Sequence, residues 1–161
     1  MLAARPSAEP QRGATYWNGS VLAHLAAVDL FQPDSKAAEK FRAQGFTSTL
    51  AVPTRGIFRG SSALVNLGDG NPNELVVRPS VAQHLSLQVD FVSDRYPNSL
   101  MGVIALARQT LSDAEWYQKA QEAYRKNPRL PRPETNETLA ALKSLRDAEI
   151  PAVVEAADVF D

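Results

Sequence analysis

Two arginines, Arg55 and Arg59, fall in the run Arg55-Gly-Ile-Phe-Arg-Gly60, directly after an apolar stretch that ends at Pro53. Guanidiniums placed just past a strand stand where α/β proteins gather ligand groups, and their planar N–H forks match a carboxylate. They are therefore read as holding an anionic group of a small-molecule substrate, or else as structural ion-pair partners of Asp69 or Asp94. Glu155, Asp158 and Asp161 lie at the exit of the last apolar run, 150–156. They are carboxylates on the same edge as the arginines, or acids that serve a helix N-terminus.

The remaining candidates point away from familiar chemistries. His24, in Val-Leu-Ala-His24-Leu-Ala-Ala, and His84, in Val-Ala-Gln-His84-Leu-Ser-Leu, belong to no spacing that converges two imidazoles on one ion, so each is read as a packed histidine. His84 alternates with Val81, Gln83, Leu85 and Leu87, which puts it on the opposite face of a strand. No serine sits in a G-x-S-x-G elbow. Gly68-Asp-Gly70 lacks both the third glycine of a dinucleotide loop and the lysine of a phosphate loop, and reads as a reverse turn. With no cysteine, thiol nucleophiles, thiolate zinc sites and disulfides are all excluded.

The elements that must position these groups follow from pattern. Residues 1–15 carry two prolines, Pro6 and Pro10, and no periodicity, and are expected as a flexible lead-in. Residues 21–30 mix helical spacing with near-continuous apolarity, and their type stays open. Asp34 as N-cap and Gly45 as C′ bracket a helix over 35–44. Strands are expected at 47–52, 57–59 and 62–67, then at 75–77 and 81–88, the last pairing as a hairpin with 62–67. A long helix over 99–127 should bend or re-cap at Ser112-x-x-Glu115. A further helix over 136–147, capped by Thr135 or Asn136, leads to a final strand at 151–156. Helix, glycine, strand is the step of a parallel sheet, so the strands are expected to be mostly parallel.

Composition sets outer bounds. The 161 residues suit one domain, and 17 Lys and Arg against 18 Asp and Glu leave no basic field for nucleic acid. The longest apolar run, 100–107, is far below the about 20 residues of a membrane span, and residues 1–13 lack a signal peptide's apolar stretch. Neither a nucleic-acid nor a membrane partner is expected, and the compartment is read as cytoplasmic unless a targeting segment precedes this chain.

Val21-Leu-Ala-His-Leu-Ala-Ala-Val-Asp29, Pro33-Asp34, Gly45-Phe-Thr-Ser-Thr49, the Gly56-Ile-Phe-Arg-Gly60 loop and Ser62-Ala-Leu-Val-Asn-Leu67 together resemble the amidohydrolase superfamily, in particular its imidazolonepropionase-like subgroup. Tyr96-Pro-Asn-Ser-Leu-Met-Gly102 with the helix after it is similar to that family's inserted helical segment. The resemblance implies a partial TIM-type (β/α) barrel over 16–161, with mostly parallel strands and long inserted helices. It also implies hydrolysis of non-peptide C–N bonds by a divalent, zinc-like metal. The family's paired histidines are missing: nothing before Tyr16 carries H-x-H, and the later pair is replaced by Glu155-Ala-Ala157. No metal ligand is therefore assigned in this chain. Glu155 is the expected catalytic residue, as base or as remaining metal ligand, with Arg55 and Arg59 binding substrate. The chain alone should be inactive, its partner being the rest of a parent barrel; the alternative is a non-catalytic domain that binds a small carboxylate or serves a structural role.

Overall fold

The computed structural model describes residues 2–4, 15–89 and 96–156. Asp94, Asp158 and Asp161 lie outside them. The local signals act where they stand. Helix α2 (Ser35–Ala43) starts at Asp34, whose side chain accepts the backbone N–H groups of Lys36 and Ala37 at 3.0 Å each. It ends in a Schellman motif: Gly45 takes φ +92°, its N–H reaches Arg42, and the Phe46 N–H reaches Phe41 at 3.1 Å. The Phe41 and Phe46 rings meet edge-on across that turn.

After a single helical turn α1 (Ala27–Leu30), helix α2 leads into strand β2 (Ser48–Pro53). Strands β3 (Phe58–Ser61) and β4 (Ala63–Asn66) follow with only Ser62 between them, then a turn α3 (Pro72–Leu75), β5 (Val76–Arg78) and β6 (Gln83–Ser86). The 27-residue helix α4 (Leu100–Lys126), the short α5 (Glu137–Ala141) and α6 (Lys143–Arg146), and β7 (Ala152–Glu155) complete the order. A strand β1 (Leu2–Ala4), of which the sequence carries no sign, pairs in parallel with β2.

The strands form two sheets, β1-β2-β4-β5 and β3-β6-β7, and close no barrel. This corrects the expected partial TIM-type barrel with mostly parallel strands. The pairs β2/β4, β4/β5 and β3/β6 are antiparallel, and only β1/β2 and β6/β7 run parallel. Loop length explains two of the three antiparallel pairs. A parallel return needs a crossover of about a dozen residues or more, and residues 54–62, between β2 and β4, and 67–75, between β4 and β5, are too few for one, whereas β1/β2 and β6/β7, which have helices between them, are parallel. The hairpin partner also changes: β6 pairs with β3, while β4 pairs with β2 and β5.

Ser62 is the corner. Fully buried, it donates its N–H to the Ala82 carbonyl and accepts from Val81, each at 2.9 Å, as the chain leaves one sheet for the other.

Helix α4 runs unbroken, where a bend at Ser112 was expected. Glu115 pairs with Lys119 at 2.7 Å, one turn onward, instead of reaching back to cap. Its buried stripe Val103, Leu106, Thr110, Ala114 and Tyr117 packs with Tyr16, Val21, Phe58, Leu85, Leu139 and Leu142 into the larger core. A smaller core of Ala27, Ala51, Ala63 and Val65 lies against β2 and β4. The expected helix 136–147 breaks at Leu142 into α5 and α6, with Asn136 as its cap. No helix among the described residues is long and apolar enough to cross a membrane.

Candidate functional site

Of the segment 21–30, whose type the sequence leaves open, residues 21–26 lie along β3: Val21 and Ala26 bridge to it in parallel on either side of a turn closed by the Leu25 N–H on the Leu22 carbonyl at 3.0 Å. Leu22 donates to the Phe58 carbonyl at 2.8 Å and Ser61 donates to the Leu25 carbonyl at 2.8 Å. Gly60 permits this approach. It holds φ +106°, and a Cβ there would stand 2.2 Å from the Leu25 oxygen. Between Phe58 and Gly60 the ladder slips by one residue, so that Phe58 faces Leu85 while Gly60 faces His84. Arg59 is the extra residue of this bulge, and bulges re-aim the side chains they carry.

Arg59 is aimed at Glu155. The two side chains form an ion pair, Arg59 through Nη1 and Glu155 through Oε2. The guanidinium is 13% exposed and the carboxylate 49%, so Glu155 forms the outer half of the pair. On β6 the alternation turns Leu85 toward the helical core and His84 and Ser86 to the other face, where Val153 and Glu155 stand beside them in register. That face of β3-β6-β7 therefore gathers Arg59, His84, Ser86 and Glu155.

The electrostatics of His84 follow from this placement. Burial pushes its pKa below the ordinary 6.5, the Arg59 charge pushes the same way, and Glu155 opposes them. The imidazole is thus neutral at neutral pH. Its Nε2 and the Nε of Arg59 are both buried and meet no hydrogen-bond partner among the described residues, as is true also of Nε2 of Gln118 on α4. Since buried polar atoms are nearly always satisfied, two such nitrogens on neighbouring strands mark a place where this fold leaves bonding capacity open.

Of the residues singled out in the sequence, Arg59 and Glu155 are brought together. Arg55 is exposed on the connection between β2 and β3 and makes no ion pair among the described residues. Asp69, proposed as an arginine partner, pairs with Arg42 at 3.0 Å. His24 is held elsewhere: its Nδ1 and the hydroxyl of the buried Thr138 lie 2.8 Å apart at the start of α5, and burial lowers its pKa against a smaller upward pull from Glu137. His84 was read as a packed histidine. Its position opposite Gln83 and Leu85 was the signal that could have placed it in the site.

The divalent ion implied by the resemblance does not fit the donors present. Among the described residues no three His, Asp or Glu side chains cluster as a metal site. His84 and Glu155 amount to two donors where a catalytic zinc takes about three from the protein. A separate cleft of 460 Å³ at the start of β2, lined by Arg42, Phe46 and Leu67, has its one charge committed, since Arg42 also donates to the Leu67 carbonyl at 2.5 Å.

No family model matches this chain, and no curated protein is similar to it at a significant level. Among solved structures it is similar to the crystal structure of an amidohydrolase from Thermotoga maritima, with a TM-score of 0.79 and 20% identity. The match covers 91% of this chain and 40% of that one, so the chain spans about two fifths of the amidohydrolase's length. At this identity the likeness is one of fold: the two-sheet, helix-backed architecture is that of a portion of an amidohydrolase.

Proposed function

We propose that this chain is part of a hydrolase acting on amide or cyclic-amide C–N bonds, related to the imidazolonepropionase-like amidohydrolases and inactive as this segment alone. One observation carries the reading: a fold shared with part of an amidohydrolase turns the Arg59–Glu155 pair and a buried His84 to one polar sheet face. Arg59 orients an anionic group of the substrate, and Arg55, exposed on the preceding loop, makes a second contact. Glu155 holds one oxygen on Arg59 and keeps the other, Oε1, for a water whose proton it accepts. The partner is the remainder of a larger amidohydrolase-like protein.

The mismatch between the donor set and a metal favours a second reading, a non-catalytic domain that binds a small carboxylate. A panel of cyclic amides and N-acyl compounds, assayed with the intact protein that contains this chain, separates the two. Hydrolysis that Glu155→Gln lowers by at least about 100-fold supports the first, in line with the usual worth of a general base. Hydrolysis untouched by Glu155→Gln overturns the role of Glu155, and binding without turnover leaves the second reading.

A further inference from the structure

The ion pair leaves a remainder. A guanidinium carries five N–H donors, and Glu155 engages it through Nη1. The Nε edge is buried and has no partner among the described residues, and the same holds for Nε2 of His84, a residue 6% exposed. The register sets Gly60, the neighbour of Arg59, directly opposite His84, so the two side chains come from adjacent positions of adjacent strands, near enough for the Arg59 charge to act on the imidazole. Arg59 and the neutral imidazole present donors, and the charge of the guanidinium favours an acceptor that is itself anionic.

A carboxylate has two oxygens and a single charge, one oxygen for each orphaned nitrogen. A dianion such as phosphate would set a second full charge beside Glu155. A metal ion would meet the like charge of Arg59.

We propose that Arg59 and His84 form a binding site for a small monocarboxylate, Arg59 Nε–H and His84 Nε2–H each donating to one of its oxygens, with Glu155 as a built-in competitor that must swing outward to admit it. Glu155 suits that part because it is the half-exposed member of the pair, on a strand, β7, whose four residues are all exposed. The proposal rests on this face being the site and is independent of C–N hydrolysis. Binding without turnover would remove the hydrolase reading and leave this one standing, whereas turnover without carboxylate binding would do the reverse.

The test is a titration of the full chain with sodium acetate, followed by the nitrogen-15 resonances of the two imidazoles. Sodium chloride serves as the ionic-strength control and acetamide as the neutral isostere. The expected result is a saturable shift of the His84 signals with acetate alone, while those of His24 stay in place. Glu155→Gln, which keeps the shape and removes the competing charge, should tighten acetate at least tenfold, and Arg59→Lys, which keeps the charge and loses the Nε donor, should weaken it at least tenfold. No saturable shift in the wild type overturns the proposal, and that arm requires no variant to fold. Equal shifts with chloride, or unaltered affinity in a folded Arg59→Lys protein, overturn it as well.

Discussion

The two sheets of this chain bury different mixtures of side chain: one packs small apolar residues, and the other sets polar residues of β6 beside the core residues Phe58 and Leu85. Around β2 and β4 the interior is made of small apolar residues, Ala51, Val52, Ala63 and Val65, and a hydrophobic contact satisfies everything it buries. Strand β6, in the other sheet, is buried at all four positions, and three of them, Gln83, His84 and Ser86, are polar. Burying a polar group is costly unless its hydrogen bonds are made. Gln83 donates to the Ala23 carbonyl at 3.5 Å and Ser86 accepts the Gln88 N–H at 3.2 Å, which leaves the cost with Nε2 of His84 and Nε of Arg59, unbonded among the described residues. One sheet is a scaffold, and the other gives up stability to keep donors and charges in place.

The sharpest way to break this contrast is Gly60→Ala. The new Cβ meets the Leu25 carbonyl and the left-handed backbone resists it, so a loss of about 3 kcal/mol or more is expected in a denaturant melt. Leu106→Ala empties the larger core beneath that sheet and should cost about 2–5 kcal/mol. In the scaffold sheet the expected failure is of the other kind: Ala63→Leu overpacks a site that is fully buried among small residues, for about 1–3 kcal/mol. Asp34→Ala removes two cap hydrogen bonds far from either interior and should cost about 1 kcal/mol.

Acidity probes the two buried imidazoles, of which His84 belongs to the polar sheet. Both histidines have folded pKa values below 6.5, so as pH falls through 6.5 the unfolded chain takes up protons first and the folded state loses ground until its own imidazoles titrate. A urea midpoint lower at pH 5 than at pH 8 is expected, and His84→Gln should reduce that difference. At the small end, Lys119→Ala removes an exposed i,i+4 pair with Glu115 and should leave the midpoint where it is.

What the sequence discloses divides along the same line of local against distant causes. Helix α2 was legible at both ends because Asp34 and Gly45 act on their own neighbours. The long α4 and the strand after Gly45 were legible for the same reason. The direction of the strands was not, since a helix-glycine-strand step suggests a parallel return, which holds for the helix-linked β1/β2 and β6/β7 and fails for β2, β4 and β5, joined by the short links 54–62 and 67–75. The exits of two apolar runs were enough to nominate Arg59 and Glu155. The bulge that aims one at the other depends on Gly60 meeting Leu25, which sits in the distant segment 20–26, and no local pattern reports such a meeting. His84 was visible by alternation, but its unpartnered nitrogen exists only once β6 has neighbours.

Ser62 has a consequence for the time scale on which the molecule opens. Its amide is bonded to Ala82, and its carbonyl to the amide of Val81, at a corner where a single residue separates a strand of one sheet from a strand of the other. Neither sheet can lift away at that corner without straining the first residue of the other, so the two should breathe as one cooperative unit despite their unequal interiors. The amides of Ser62 and Val81 would then exchange with solvent at a common rate, in step with the slowest amides of both sheets, and binding of an anion on the polar face would be felt as slower exchange on the scaffold side.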